Sequence, residues 1–302
     1  HARRGECLFK CGMERYHPGV ITLYFAAMLV FTAWFQQPIF LALSLFTALV
    51  VSKVTLGGQW GRRLGWSLLL GAVVGVWWAV FARFGDTILL DNLLGNPLTL
   101  EGLVYSATLW VRVTAIVLWW ESLLCLVPAE RLLTLTGKVL PHLSLYGTVL
   151  LRFLPQLRRQ RQGIQAARAG IGVAESWREK TRRESMVATW GLESLQRTVQ
   201  AMLCRGYSLR RRTTYQATWL KHGDRLLLLL EGWGIVLLLC GWALNQTRAW
   251  YDPELIVNRV TPLSGMFYAV YVLFALLPVE LAGKAWLRER RDQRNREKGG
   301  MG

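Results

Sequence analysis

Two arginine tripeptides are the residues whose type and spacing best suit a specific chemistry in this sequence, and that chemistry is binding. They are Ala167-Arg168-Ala169 and Cys204-Arg205-Gly206, and each ends a run with helical periodicity. An arginine keeps its charge at physiological pH and presents a planar fork of donors that pairs with a carboxylate. The two tripeptides therefore indicate attachment to an acidic surface rather than catalysis.

Helix capping is the competing explanation of each tripeptide. A cation near a helix C-terminus complements the helix dipole, and a glycine that follows can adopt the left-handed conformation that ends the helix. Gly170 or Gly172 fits that role after the first tripeptide, and Gly206 fits it within the second. Capping explains a single tripeptide as well as binding does, but the repetition on two helices favours a function.

Residues typical of catalysis or metal binding form no recognisable motif in this chain. The 5 cysteines lack paired zinc spacing, and the 4 histidines are isolated in the sequence. No phosphate-binding loop, nucleophile elbow or zinc-protease motif is found. No nucleic-acid recognition module accompanies the basic charge. We therefore predict no enzyme activity, cofactor, metal, disulfide or nucleic-acid partner, and any ATP used would be bound by another protein.

The elements that carry the tripeptides belong to a chain with a strongly apolar composition. Hydrophobic residues make up 53% of the sequence, and they occur in long runs that are typical of segments solvated by lipid. Run length and flanking charge predict an all-α, polytopic membrane protein with about six transmembrane helices. The predicted spans are 20–35, 39–54, 65–82, 103–127, 226–244 and 263–282.

The distribution of basic residues predicts the orientation of these spans. With the N-terminus inside, 32 of the 36 Lys and Arg residues lie on the cytoplasmic side, as the positive-inside rule requires. The chain then divides into an N-terminal segment with four spans (1–127), a cytoplasmic helical region (128–224), two further spans (225–283) and a basic tail (284–302). Both termini and 128–224 are predicted to be cytoplasmic, and anionic lipid headgroups of the bilayer are expected to attract their charge.

The region 128–224 contains two segments with amphipathic helical periodicity. In the first, apolar residues recur at helical spacing, while basic and polar residues occupy the other face. Its apolar positions are Leu154, Leu157, Ile164 and Ile171, and the opposite ones are Arg158, Arg159, Arg161 and Gln162. The segment 143–154, just before this helix, is apolar and is expected to lie in the membrane interface. Pro155 is expected to bend the helix because it lacks a backbone donor.

The second amphipathic segment precedes the second tripeptide. Its predicted apolar stripe is Leu192, Leu195, Val199 and Met202, and the opposite face carries Glu193, Gln196, Arg197 and Gln200. We expect the two helices to pack against each other along their apolar stripes. Their arginine-bearing C-terminal ends are then expected to remain free.

Several motifs give the chain a resemblance to a known family. They are Tyr16-His17-Pro18, Asn96-Pro97-Leu98-Thr99, Pro128-Ala129-Glu130-Arg131, Leu151-Arg152-Phe153-Leu154-Pro155, Trp190-Gly191-Leu192-Glu193 and Arg205-Gly206-Tyr207-Ser208-Leu209, together with the two tripeptides. With these motifs the sequence resembles the transmembrane T component of energy-coupling factor transporters, which serve bacterial vitamin and metal uptake. The resemblance extends over most of the chain.

The resemblance implies a non-catalytic scaffold in the bacterial cell (inner) membrane. In that family two long cytoplasmic coupling helices end in Ala-Arg-Gly motifs, and each arginine docks into one of two ABC-type ATPase subunits. A separate membrane-embedded S component binds the substrate. The resemblance assigns ATPase docking to the two tripeptides, with Arg168 and Arg205 as the docking arginines. The chain departs from the family pattern at Ala169, where Gly is usual, and at Cys204, where Ala is usual.

Two other classes of membrane protein remain as alternatives. A self-sufficient secondary transporter would carry inverted repeats with broken helices at the membrane midplane, and no convincing duplication is visible. A membrane-embedded enzyme would require paired carboxylates or histidines at helical spacing.

The stripe Gly71-Ala72-Val73-Val74-Gly75 permits close helix approach, either within this chain or to the S component.

Overall fold

Helices make up most of the chain, as the sequence predicts. A computed structural model describes residues 16–81, 88–93, 96–137, 140–172, 176–207, 222–247, 249–250, 256–257 and 261–299. The predicted N-terminal segment before residue 16 and the basic stretch 208–221 lie outside the described residues. Contacts divide the chain into two compact units, one formed within His1–Ala129 and Trp219–Gly302 and the other within Glu130–Thr218.

The first unit contains the apolar helices. In chain order they are α1 (Pro18–Trp34), α2 (Pro38–Leu56), α3 (Trp60–Phe81), α4 (Leu100–Leu126), α8 (His222–Ala243) and α9 (Pro262–Gly299). Three helices lie between α4 and α8 in the sequence: α5 (Ala129–Thr136), α6 (Pro141–Gly170) and α7 (Trp177–Cys204). Within the described residues, four segments are long and apolar enough to cross a membrane: Pro38–Phe81, Leu100–Leu126, His222–Ala243 and Pro262–Leu281. These segments indicate a membrane protein.

The longest of these segments, Pro38–Phe81, is not a single straight helix. A 3-10 turn at Gly57–Gln59 separates α2 from α3, and Gly57 adopts a φ of 50°, which L side chains rarely adopt. The predicted second and third spans fall on these two helices. The first predicted span falls on α1, which has 17 residues and is therefore shorter than the roughly 20 needed to cross without tilt.

The helix starts follow from local sequence. Pro18 and Pro38 occupy first-turn positions, where the missing backbone donor costs nothing. His17 caps α1, because its Nδ1 accepts a hydrogen bond from the Gly19 N–H at 3.0 Å. Thr99 caps α4 in the same way, accepting from the Gly102 N–H at 3.3 Å.

An aromatic core holds the apolar helices together. Tyr24 and Phe25 of α1 pack edge-on to Trp119 of α4, and Phe40 of α2 packs edge-on to Tyr271 of α9. All five side chains are buried. Large rings in edge-to-face contact combine burial of apolar area with favourable ring electrostatics, so this cluster fixes how α1, α2, α4 and α9 meet.

The glycine stripe of α3 packs inside this chain. A Cβ at Gly71 would lie 2.5 Å from Thr114 Oγ1 and 2.9 Å from the Trp110 carbonyl oxygen, both on α4. A Cβ at Gly75 would lie 3.2 Å from the Ser106 carbonyl oxygen. The stripe was predicted to pack either within this chain or against the S component, and the structure shows packing within the chain, against α4.

Two short hairpins interrupt the helical pattern, and the sequence analysis did not predict them. In one, β1 (Ile88–Leu93) pairs antiparallel with β2 (Asn96–Thr99) between α3 and α4. In the other, β3 (Ala249–Trp250) pairs antiparallel with β4 (Ile256–Val257) between α8 and α9. The six residues of β1, ILLDNL, do not alternate between apolar and polar, and the other strands have four residues or fewer, so the two-residue periodicity of a strand is not visible in the sequence.

Candidate partner-docking site

The second unit is built on two long helices and contains both arginine tripeptides. A short helix, α5 (Ala129–Thr136), precedes α6 (Pro141–Gly170) and α7 (Trp177–Cys204). Arg161 near the end of α6 contacts Glu184 near the start of α7, with 2.7 Å between Nη2 and Oε1. Contacts between the start of α6 and the end of α7 complete an antiparallel pair, which we call the two-helix hairpin.

The first helix of this hairpin is longer than the sequence analysis predicted. Its N-terminal half contains the apolar segment 143–154, which was expected to precede the helix, and α6 continues through Pro155 without a break. Pro141 occupies the first turn, where proline is tolerated. Ser144 Oγ donates to the Leu133 carbonyl oxygen at 2.7 Å and so ties α5 to α6.

The face of α6 that packs against α7 differs in part from the predicted stripe. Leu157 and Ile164 are half-buried, as expected for packing positions, but Leu154 is 44% exposed and Ile171 is 80% exposed. The half-buried stripe continues from Ile164 to Arg168, four residues further along the same face. Arg168 therefore lies on the packing face of its helix.

The packing face of α7 also differs in part from the predicted stripe. Leu195 and Met202 are half-buried and line a groove together with residues of α6, as expected for packing positions. Leu192 is 70% exposed and Val199 is 55% exposed, whereas Val187 and Gly191 are buried. A Cβ at Gly191 would lie 3.2 Å from both Leu157 Cδ2 and Phe153 Cζ of α6. The missing side chain lets the helices approach at this point, so the buried face of α7 includes the small residue as well as part of the apolar stripe.

The first predicted docking arginine is engaged within its own unit. Arg168 Nη2 forms an ion pair with Glu179 Oε2, and Arg168 Nη1 donates to the Glu179 carbonyl oxygen at 2.8 Å. The side chains are only 17% and 27% exposed. Glu179 lies in the first turn of α7, where a carboxylate also complements the helix dipole. The expectation that both arginine ends remain free is wrong for Arg168.

The second predicted docking arginine is exposed at the end of α7. Arg205 caps the helix, and Gly206 follows with a φ of 74°. The Gly206 N–H donates to the Leu203 carbonyl oxygen at 3.0 Å, and the Tyr207 N–H donates to that of Met202 at 3.1 Å. These two bonds form a Schellman motif, which fixes the backbone immediately beside Arg205. Among the described residues, no acidic side chain pairs with Arg205.

The two tripeptides therefore differ in geometry although they are similar in sequence. Arg168 lies inside the last turn of α6, flanked by the exposed Ala167 and Ala169, and the left-handed residue is Gly172, with a φ of 77°. Cys204 is the last residue of α7 and is exposed. The predicted glycine caps are confirmed at Gly172 and Gly206, while Gly170 remains helical. Ala169 in place of glycine accompanies this later turn.

A groove beside Arg205 is a further feature of the two-helix hairpin. It has a volume of about 460 Å³ and lies between the first half of α6 and the last half of α7. Arg152, Arg197 and Arg205 line it, together with the polar Gln156 and Ser194. None of its lining residues is acidic. Sequence reasoning missed this groove because its arginines come from helices that meet only in the folded chain.

Each helix of the hairpin also leaves apolar side chains exposed. On α6 these residues recur at spacings of three and four, which places them on one stripe. They are Leu143, Tyr146, Leu150 and Leu154. On α7, Leu192, Val199 and Leu203 are exposed in the same way. Apolar stripes that no part of the described chain covers are typical of surfaces that bind a partner or lipid.

No protein-family profile matches this chain, and no curated protein matches it. The functional interpretation therefore depends on the residues and on their geometry.

Proposed function

We propose that this protein is the transmembrane scaffold, or T, subunit of an energy-coupling factor ABC importer in a bacterial cell membrane. It links ATP hydrolysis by two ABC-type ATPase subunits to movement of a membrane-embedded S component that binds a vitamin or a metal ion. The six apolar helices of the first unit serve as spans, with both termini and the two-helix hairpin in the cytoplasm. The 32 basic residues on that side support the orientation.

The observation that carries this proposal is the placement of the two arginines on the two-helix hairpin. Because α6 and α7 are antiparallel, their C-terminal ends point in opposite directions. Arg168 lies beside Glu179, and Arg205 lies 26 residues further along α7, which corresponds to about 39 Å of helix. That separation suits one ATPase subunit at each end.

Close packing at Gly191 supplies a way to transmit movement between the two ends. Arg205 lies about 21 Å along α7 from Gly191, and Arg168 lies about 16 Å along α6 from Leu157. A change of about 10° in the crossing angle would therefore move either arginine by about 3 to 4 Å. ATP binding brings the two ATPase subunits together. Because each subunit holds one arginine, its movement displaces that end of the hairpin and so changes the crossing angle of α6 and α7.

The exposed apolar stripes supply the surface through which the S component responds. Leu143, Tyr146, Leu150 and Leu154 lie on the half of α6 farther from Arg168. A change in crossing angle displaces this half as well, because α6 is one continuous helix. The S component, seated against the stripe in the membrane interface, then changes its position.

Charge reversal at both arginines tests the proposal. In the full chain coexpressed with its ATPase subunits, Arg168→Glu with Arg205→Glu is expected to abolish ATPase co-purification and ATP-driven uptake. The matched control is Arg158→Glu with Arg178→Glu, which makes the same change of charge at exposed positions of α6 and α7. Intact co-purification and uptake in the first double variant would refute the scaffold function.

A self-sufficient secondary transporter is the second candidate, and one observation favours it. Glu231 in α8 is only 2% exposed, and its Oε2 has no hydrogen-bond partner among the described residues. Buried carboxylates inside membrane helices often mark ion paths. Reconstitution of the chain alone distinguishes the two functions: uptake without partners that is lost in Glu231→Gln supports the transporter, and inactivity until ATPases and an S component are added supports the scaffold.

A further inference from the structure

We propose that the groove lined by Arg152, Arg197 and Arg205 receives a carboxylate-bearing segment of the ATPase subunit that docks at this end of the hairpin. The inference rests on the proposed function and deepens it, because it adds two binding residues to the site and names the chemistry that they recognise. Arg152 lies on α6, while Arg197 and Arg205 lie on α7. The complete site therefore exists only when the two helices are packed together.

Charge favours an acidic occupant of this groove. Three guanidinium groups border one volume of about 460 Å³, and none of the lining residues is acidic. Within the described part of the chain, the one ion pair of these three arginines joins Arg197 to Glu193, at 3.5 Å, with side chains 77% and 57% exposed. An exposed pair at that distance contributes little, so Arg197 remains available to an incoming carboxylate.

The other lining residues favour a polypeptide segment as the source of the carboxylate. Phe153, Leu195 and Met202 add apolar surface to the groove. A peptide that carries acidic and apolar side chains in alternation satisfies both parts of this lining. Gln156 offers an amide that can donate to the peptide backbone or accept from it.

Arg205 connects this groove to the proposed ATPase contact. Its backbone is fixed by the Schellman motif at Gly206, so its side chain starts from a defined position at the edge of the groove. Because the backbone is fixed, only the side-chain torsions of Arg205 lose freedom when a carboxylate binds. Arg152 and Arg197 then hold further acidic groups of the same segment.

The test measures affinity between the full chain in nanodiscs and ATPase subunits purified from the wild-type complex. Arg152→Gln with Arg197→Gln is expected to weaken binding at least tenfold and to reduce its dependence on salt. The matched control is Arg158→Gln with Arg178→Gln, which removes the same charge from α6 and α7 outside the groove. Equal weakening in both double variants would overturn the inference, because a diffuse attraction would then suffice.

A second variant fills the groove without changing its charge. Ala201 lines the groove and is exposed, so Ala201→Phe is compatible with folding and is expected to weaken binding as well. Unchanged affinity in Ala201→Phe and in Arg152→Gln with Arg197→Gln overturns the inference. If the groove variants bind normally but Arg168→Glu with Arg205→Glu still abolishes binding, the proposed function stands without the groove. If Arg168→Glu with Arg205→Glu also binds normally, the proposed function is refuted as well.

Lipid composition separates the peptide from an anionic headgroup as the occupant. The measurements are made in nanodiscs of phosphatidylcholine alone and in nanodiscs that also contain phosphatidylglycerol, which supplies an anionic surface. The same loss of affinity in both compositions supports the ATPase segment. A loss that appears only with phosphatidylglycerol overturns the inference, since the groove would then bind lipid.

Discussion

Under the proposed function, Glu179 is predicted to compete with the ATPase for Arg168, so its neutralisation should strengthen docking while weakening the two-helix hairpin. In Glu179→Gln the side chain keeps its shape but loses the charge that holds Arg168. The guanidinium keeps its bond to the residue 179 carbonyl oxygen, because that bond involves the backbone. The substitution therefore removes the ion pair with Arg168 and a weak pair at 3.5 Å with the exposed Arg182, and it leaves the backbone bond in place.

The exposure of the pair sets the size of the effect. Fully exposed ion pairs contribute about 0 to 1 kcal/mol, whereas removing one partner of a buried pair costs about 3 to 5 kcal/mol. With side chains 17% and 27% exposed, this pair lies between the two limits. We take about 1 to 2 kcal/mol, which corresponds to roughly a 5- to 30-fold increase in affinity for the ATPase at this end.

The assay combines ATPase affinity with thermal unfolding of the same purified variants. Glu179→Gln should bind the ATPase more tightly and unfold at a lower temperature than the wild type. Glu184→Gln is the matched control, because it neutralises a carboxylate of α7 that pairs with Arg161 and not with Arg168. Affinity that is unchanged or reduced in Glu179→Gln, with Glu184→Gln as the reference, would refute the competition.

Two further predictions concern glycines whose neighbours differ. Gly71→Ala should lower the unfolding temperature by about 2 to 8 °C, because a Cβ would meet α4 at 2.5 to 2.9 Å and overpacking typically costs about 1 to 3 kcal/mol; Gly65→Ala in the same helix meets nothing within 4 Å and should be neutral or stabilising. Gly206→Ala, at a φ of 74°, should cost about 1 kcal/mol and weaken docking at Arg205. Its control is Gly170→Ala, whose Cβ would meet nothing within 4 Å. Equal unfolding temperatures in Gly71→Ala and Gly65→Ala would contradict the packing argument. Equal unfolding temperatures in Gly206→Ala and Gly170→Ala would contradict the backbone argument.

The sequence predicted the helical class and the approximate positions of the apolar helices because both depend on local composition. An apolar run long enough to cross a membrane is visible without any knowledge of its neighbours. The caps at Gly172 and Gly206 were predictable for the same reason, since a left-handed turn after a helix favours glycine. The start of α6 was not, because apolar residues 143–154 fit an interfacial segment as well as a helix continuous with the basic half.

The packing faces of the two-helix hairpin required the fold. Two neighbouring stripes of α7 offer apolar side chains, and periodicity alone does not decide between them. The contact at Gly191 decides it, because only there does α7 lack a side chain against Phe153 and Leu157. One signal was present in the sequence: Arg168 follows Ile164 by four residues and so extends the apolar stripe, which indicates a cation directed toward another element.

The unequal surroundings of Arg168 and Arg205 imply an order of docking under the proposed function. Arg205 is exposed at a fixed helix end, so a carboxylate of the ATPase can reach it without displacing another group. Arg168 must first leave Glu179, and that exchange subtracts from the affinity at its end of the hairpin. Even two identical ATPase subunits would therefore bind with different affinities, first at Arg205 and then at Arg168. In Glu179→Gln the difference in affinity between the two ends should shrink, because Arg168 then no longer has to leave an ion pair before it binds the ATPase.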